Sequence, residues 1–498
     1  MQKKFLSGLL VLLFLNLLIK PFWILGIDRA VQNIVGAADY GVYYAIFNFS
    51  FLFNIFLDVG LTNFNNRNIA QNSHLLNKYF SGILGIKLLL SALYIIITIS
   101  FGFIIGYDHS QMNLLFILAF NQVLISLVLY FRSNISGLHF FKTDSVISVL
   151  DRFLMILFCS ILIWGHLFEK QITIYWFVYC QTIAYSVTAI VAFIIVVRKA
   201  KFKHIYWNTR FFYVVLKQSM PFALLVLLMT FYNRIDSVMI ERLLPTEVGN
   251  YQAGIYASAY RLLDATNMIA VLFAVILLPV FARLIKLHQP VNEIVQLSFS
   301  LLFTFSLIIA FATISFRYEI MNLLYPQHVN ESLLQFHTRM NEVAFVFGAL
   351  MSCFVAISST YIFGTLLTAN GSLKMLNIVA TGGMLLNIII NLILIPKYMA
   401  TGSAIASVIT QFATAIIQML IAIKIFHLKL KWNAFIRFMC FIGILVVLIF
   451  LVNVFDFRWD IKFIIFSIAS TLTAFLLKII NMKNIINLFA LKGIVQNK

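Results

Sequence analysis

Residues 217–284 read KQSMPFALLVLLMTFYNRIDSVMIERLLPTEVGNYQAGIYASAYRLLDATNMIAVLFAVILLPVFARL. Two apolar segments run through this stretch, and both carry charges that a bilayer rejects. The first opens at Pro221-Phe222 and ends at Tyr232-Asn233-Arg234-Ile235-Asp236. A polar gap leads to Gly249-Asn250-Tyr251-Gln252-Ala253-Gly254-Ile255-Tyr256. The second segment then carries Arg261 and Asp264 and closes at Leu278-Pro279-Val280-Phe281-Ala282-Arg283-Leu284. Ionisable groups this deep in apolar sequence mark functional sites by default. Arg261 and Asp264 are three apart and share a helical face, either as a binding pair or as a self-cancelling structural ion pair. Arg234 and Asp236 are two apart and do not face each other, so each needs a partner on another helix.

The rest of the chain has the same character. Of its 498 residues 62% are hydrophobic and 11% charged, with a mean hydropathy of +0.98. Soluble domains run near half apolar and a quarter charged. Apolar runs of about twenty residues recur throughout, which is the length of a membrane helix. The expected fold class is an all-α polytopic membrane protein with almost no soluble part. About 14 spans are predicted, at 5–27, 40–63, 79–106, 111–139, 144–168, 173–197, 218–240, 251–282, 292–316, 341–367, 375–395, 401–424, 434–455 and 461–481. The start, Met1 to Lys4 and then Phe5 to Ile19, resembles a signal peptide. No small-residue cleavage site follows, so it reads as the first span. The longest inside loop, Arg198 to Lys217, follows the sixth span. This predicts one six-helix bundle over 1–200, a second over 201–430, and two further helices with a short tail over 431–498.

A net charge of +19 raises nucleic acid as a partner, but topology explains it more simply, because cytoplasmic loops collect Lys and Arg. With the N-terminus inside, the inside segments hold Lys3, Lys4, Arg67, Lys78, Lys142, the cluster Arg198, Lys199, Lys201, Lys203, Arg210 and Lys217, then Arg283, Lys286, Lys374, Lys424, Lys429, Lys431, Arg437, Lys478, Lys483, Lys492 and Lys498. Acids show the opposite bias, with only Asp144 and Glu293 inside. An even span count with both termini cytoplasmic follows. Cys159, Cys180, Cys353 and Cys440 are spread through apolar runs and read as inert thiols.

Lys20, Lys87, Arg132, Arg152, Arg234 and Arg261 fall within spans, as do Asp58, Asp151, Asp236 and Asp264. Each costs roughly 2.5–3.5 kcal/mol at the bilayer centre. All of them facing lipid would cost on the order of 30 kcal/mol, several times a net folding stability. Most therefore face the protein interior or a water-filled cavity. Lys87, Arg132 and Asp58 lie toward cytoplasmic ends, where they snorkel. Arg152 and Asp151 are adjacent and point to different sides of a helix. Lys20 sits beside Pro21, a natural bend; Pro279 and Gly382-Gly383 are further candidate bending points. A cavity with excess basic charge suits an anionic group: one cation about 4 Å from a phosphate charge gains about 4 kcal/mol at an effective dielectric near 20. A pump for cationic drugs would use acids or aromatic rings instead. Tyr232, Tyr251, Tyr256 and Tyr260 serve either to stack on sugars or as an interfacial belt.

No G-x-x-x-x-G-K-[ST] loop is present, and the His and Cys residues form no metal-ligand cluster. The outside loop Arg317 to Met340 is short and carries no Asp-x-Asp pair. Transport, without a cofactor, is the expected class, ahead of a membrane polymerase or glycosyltransferase.

Tyr40-Gly41-Val42-Tyr43 opens the second span and Gly254-Ile255-Tyr256 the eighth, a weak internal echo of the kind found in repeated transporter halves. Further pieces are Val35-Gly36, Leu57-Asp58-Val59-Gly60-Leu61-Thr62, Arg67-Asn68-Ile69-Ala70, Arg261-Leu262, Leu278-Pro279, Asn391 to Tyr398 and Gly402-Ser403-Ala404-Ile405-Ala406. In this order they resemble the polysaccharide-export flippases (Wzx-type, O-antigen and repeat-unit translocases) of the multidrug/oligosaccharidyl-lipid/polysaccharide exporter superfamily. One departure is Met399, where these proteins often place Gly after Pro-Lys-Tyr. The resemblance implies a bacterial inner-membrane protein that flips an undecaprenyl-diphosphate-linked oligosaccharide by alternating access, driven by a proton or sodium gradient. Arg261, Arg234, Arg152 and Lys20 would then hold the diphosphate. Asp236, Asp264, Asp151 or Asp58 would carry a coupling proton or pair with an Arg. Membrane lipids, a polysaccharide polymerase and chain-length proteins are the implied partners, and a related exporter of small cationic compounds is the alternative.

Overall fold

Inside a bilayer no water satisfies backbone N–H and C=O groups, so apolar runs of this length fold as helices. The structure is a computed structural model that describes residues 15–16, 18–62, 65–66, 69, 76–138, 140–165, 172–200, 209–327, 331–428 and 432–480. The first 14 residues, Arg67, Lys201, Lys203 and the tail 481–498 lie outside the described residues.

A π-helical turn, Trp23–Asp28, leads into α1 (Arg29–Leu52). Then come α2 (Ile55–Asp58), α3 (Leu76–Ile105), α4 (His109–Gly137), α5 (Phe141–Trp164) and α6 (Ile174–Ala200). They are followed by α7 (Thr209–Leu243), α8 (Thr246–Lys286), α9 (Asn292–Ser315), α10 (Arg317–Leu324) and α11 (Leu333–Ala369). The chain ends its described part with α12 (Leu373–Phe426), α13 (Trp432–Val454) and α14 (Trp459–Leu476). Among the described residues 10 helices are long and apolar enough to cross a membrane. Their outward side chains are apolar: Ile104 is 75%, Phe450 69% and Leu476 81% exposed. Lipid contact accounts for that exposure, which would be a liability in water.

Three breaks decide how the spans are divided. Within α1 Gly36 adopts φ 85, a conformation natural only to glycine, and it marks the turn between the first and second expected spans. The second span is itself interrupted after Asp58, where Val59 (φ 44) and Gly60 (φ 80) are both left-handed. The third break lies in α12. Its 54 residues would extend about 80 Å if straight, more than twice a hydrocarbon core. Instead a methyl on Gly402 would lie 2.4 Å from the Leu394 carbonyl oxygen, and one on Gly383 would lie 2.6 Å from Thr414. Both pairs centre on residue 398, so the helix folds back on itself there. Gly383 is thus a packing position, whereas Gly382 faces open space.

The turn of that hairpin is strained. Met399 has φ 52 and ψ −135, which side chains with a Cβ rarely adopt and which costs of order 1–3 kcal/mol. The departure from glycine seen in the sequence therefore left the backbone in glycine's conformation. Met399→Gly is expected to stabilise the protein by about 1 kcal/mol after glycine's extra unfolded-state entropy, read as a raised thermal midpoint of the full chain in detergent.

The chain forms two compact units, Met1–Ser258 and Ala259–Lys498, with the boundary inside α8. In the first, Phe80, Tyr130, Phe131 and Ile147 anchor a core shared by α3, α4, α5 and α6. In the second, α13 and α14 dock on α9 through Phe438, Phe441, Leu445 and Phe466. Lipid tails are as apolar as these side chains, so close packing rather than water exclusion holds such contacts.

Candidate functional site

The charged groups inside the first unit are almost all held by a specific partner. At the start, Asp28 is fully buried and accepts the Tyr40 hydroxyl at 2.9 Å on each oxygen. On the second hairpin Asp236, 2% exposed, accepts the Tyr256 hydroxyl at 2.7 Å. Each hairpin thus closes an Asp on its first arm against a Tyr near the start of its second. The echo between Tyr40-Gly41 and Gly254-Ile255-Tyr256 has this chemistry behind it. It also assigns Tyr256 to the interior rather than to an interfacial belt.

The two hairpins meet at their glycines. A methyl on Gly41 would stand 1.9 Å from the Asn250 carbonyl oxygen, and one on Gly254 1.9 Å from that of Ala37. Only glycine allows α1 and the first turns of α8 this close. Asn48 of α1 also donates to the Ser237 hydroxyl of α7 at 2.8 Å. Arg234 lies over the Phe51 ring, 5.5 Å from its centroid. Arg234 and Asp236 therefore do have partners on different helices, as their spacing requires.

Lys87 and Asp58 do not snorkel. Lys87 is fully buried and its ammonium is ion-paired with Asp58. It also donates to the Leu57 carbonyl at 3.1 Å and to Ser126 at 2.8 Å, while Thr62 donates its backbone N–H to Asp58. Leu57 and Asp58 close the short α2, whose last carbonyls have no helical partner. The lysine occupies the cation-attracting end of that half-helix. Arg132 is likewise paired, with Asp144, Nε to Oδ1 at 2.8 Å. Depth alone predicted snorkelling for all three residues; the partners sit on other helices and override it.

Of the in-span cations named from the sequence, Lys20 and Arg152 of this unit lie near each other. Lys20 lies in the electrostatic field of Arg152, Asp151 and Arg132. The Arg152 guanidinium lies 5.6 Å from the Trp23 ring centroid and 5.9 Å from that of Tyr185. Trp23 itself stacks on Phe177 at 5.7 Å, so the wide π-helical turn fixes one wall of the cluster. Adjacent residues were expected to diverge, yet Arg152 Nε reaches back to 3.7 Å from Asp151 Oδ2. Both side chains keep partial exposure, 30% and 21%. Lys20, Arg152 and Asp151 together carry a net positive charge, and aromatic rings flank Arg152.

Arg261 and Asp264 belong to the second unit, on α8, and both are half-buried. The sequence reading missed Asp28, which it left in a loop, and Glu241, one residue past a predicted span; both are buried acids. Cys159, Cys180, Cys353 and Cys440 are free thiols, Cys159 and Cys353 of them buried. Among the described residues no group of three or more His, Cys, Asp or Glu is placed to hold a metal ion.

The described residues form an all-α protein with 10 helices apolar enough to cross a membrane and with charges buried in pairs between them. The chain belongs to the polysaccharide biosynthesis protein family, whose model matches residues 5–285. Its fold is similar to that of the lipid II flippase MurJ in an inward closed conformation, with a TM-score of 0.70, 17% identity, and coverage of 92% of this chain and 97% of that one. It is also similar to an inward-facing multidrug resistance MATE family transporter of the MOP superfamily, with a TM-score of 0.61, 14% identity, and coverage of 84% and 98%. A third similar structure is a Vibrio cholerae MATE transporter, with a TM-score of 0.53, 12% identity, and coverage of 85% and 98%. No curated protein sequence matches the chain.

Proposed function

We propose that this protein flips an undecaprenyl-diphosphate-linked oligosaccharide from the cytoplasmic to the outer leaflet of a bacterial inner membrane. The carrying observation is the net basic cluster of Lys20 and Arg152 beside Trp23 and Tyr185. Two cations suit a diphosphate, and fixed aromatic rings suit the sugars that follow it. Arg234 and Arg261 extend the phosphate-binding set by the family resemblance. By the Lys and Arg bias of the loops both termini are cytoplasmic, and the turns after α3 and α7 face outward. The two six-helix halves, 1–200 and 201–430, would alternate access, driven by a proton or sodium gradient. A polysaccharide polymerase and chain-length proteins would take the product.

Asp151, Asp236 and Asp264 are the acids left for coupling or for pairing with an Arg. Asp58 is the weakest candidate, because Lys87 and Thr62 already occupy it. The net basic cluster disfavours the alternative, an exporter of small cationic compounds.

Binding of undecaprenyl diphosphate to the purified full-length protein tests the reading. Arg152→Gln is expected to weaken it at least tenfold, about 1.4 kcal/mol, and wild-type binding is expected to weaken with added salt. Equal affinity in wild type and Arg152→Gln would remove the cluster from the site.

A further inference from the structure

Outside the basic cluster, the first unit holds a second group of interlocked polar side chains, at the end where the α3–α4 and α7–α8 turns meet. Asp108 caps α4, accepting the Gln111 backbone N–H at 2.7 Å, while its own N–H donates to Gln111 Oε1 at 3.2 Å. The same amide reaches across to α7. Gln111 Nε2 donates to Glu241 Oε1 at 3.1 Å, and Arg242 donates to Gln111 Oε1 at 3.1 Å. Arg242 Nε lies 2.7 Å from Glu241 Oε2, and its guanidinium is 4.1 Å from the Tyr107 ring centroid. Tyr107 in turn meets Phe49 of α1 edge-on at 5.2 Å.

Glu241 is only 4% exposed, so its carboxylate has exchanged water for Arg242 and Gln111. Glu241 Oε2 and Arg242 Nε lie close without a hydrogen bond between them, so the Gln111 amide supplies the hydrogen bonds that this buried carboxylate and guanidinium have. One amide, Gln111, serves both the helix cap and the cross-helix contact. Glu241 and Arg242 both sit on α7 and stay paired when the turn leaves α4, so closure rests on the two Gln111 hydrogen bonds, which are made or lost together because one amide forms both.

We propose that Gln111, Glu241 and Arg242 form a latch that holds the α7–α8 turn on the N-terminus of α4 and opens as a unit while the body of α4 stays folded. The inference rests on the flippase reading only in making that opening, at the outward end, a step of transport. The latch explains why α7 and the start of α8, first in the second half by chain order, pack within the first compact unit.

Hydrogen exchange of the full-length protein, corrected for intrinsic rates, tests it over segments 107–115 and 237–247. In wild type the two segments are expected to open together and faster than the middle of α4. Gln111→Glu keeps the cap, since Glu serves the capping box as well as Gln, but it sets a second carboxylate against Glu241. Protection of both segments should fall at least about tenfold. The swap Gln111→Glu/Glu241→Gln restores an amide facing a carboxylate and should recover protection to within about threefold of wild type. Three results would each overturn the latch: segments that exchange only together with the middle of α4, unchanged protection of 237–247 in Gln111→Glu, or no recovery in the swap. Failure to bind undecaprenyl diphosphate would sink the transport reading and leave these outcomes unaffected.

Discussion

Lys87→Met is expected to destabilise the protein by about 1.5–3 kcal/mol, the cost of removing a fully buried charged donor from partners that stay behind. Met fills much the same volume but supplies no charge, so Asp58, whose side chain is 30% exposed, keeps only Thr62 and water. The Leu57 carbonyl and Ser126 lose a donor at the same time. The effect centres on the broken second span, where Val59 and Gly60 depart from helical geometry and the ammonium joins α2 to α3 and α4. Asp58→Asn in the Lys87→Met background removes the stranded charge and should return part of the loss. Thermal unfolding of the full chain in detergent reads both changes. A Lys87→Met protein as stable as wild type would mean that the pair is not closed.

Gly254→Ala has the second large expected effect. Its methyl falls 1.9 Å from the Ala37 carbonyl oxygen, well inside any van der Waals contact. The opposing atom is backbone, so no rotamer change relieves the clash, and α1 and α8 must separate. Overpacking of this kind costs typically 1–3 kcal/mol and occasionally more. Separation also strains the Asn48–Ser237 bond, which ties α1 to α7 beside the crossing. Gly41→Ala meets the Asn250 carbonyl at the same distance and should act alike. Because either methyl forces the same separation, the double variant is expected to lose clearly less than the sum of the two singles. Strict additivity in thermal unfolding would place the two glycines in independent contacts.

Much of the fold was legible because bilayer physics leaves few options. Apolar runs of spanning length become helices, and the turns between them appear where Gly36, Pro245 and Met399 lie. The pairing logic was legible too. Arg234 and Asp236, two apart, had to find partners on other helices, and they found Phe51 and Tyr256. The identity of distant partners was not legible. Nothing local in the sequence joins Lys87 to Asp58, 29 residues earlier, so depth alone pointed to snorkelling. Asp28 and Glu241 looked like loop acids because each sits at the end of an apolar run, and tertiary contacts bury both. Arg152 and Asp151 converge because a long guanidinium stem can turn back along its helix, which residue spacing does not reveal. At Met399 the sequence showed a missing glycine, and the chain kept glycine's backbone conformation there.

If Lys20 and Arg152 hold a lipid-linked diphosphate during transport, removing both charges stops its movement across the bilayer. The most direct test is leaflet exchange in proteoliposomes, using a dye-labelled undecaprenyl-diphosphate-linked oligosaccharide and a membrane-impermeant quencher. Wild-type protein should render inner-leaflet label quenchable from outside, and the Lys20→Gln/Arg152→Gln protein, equally reconstituted and folded, should not. Flipping by that double variant at the wild-type rate would contradict the account.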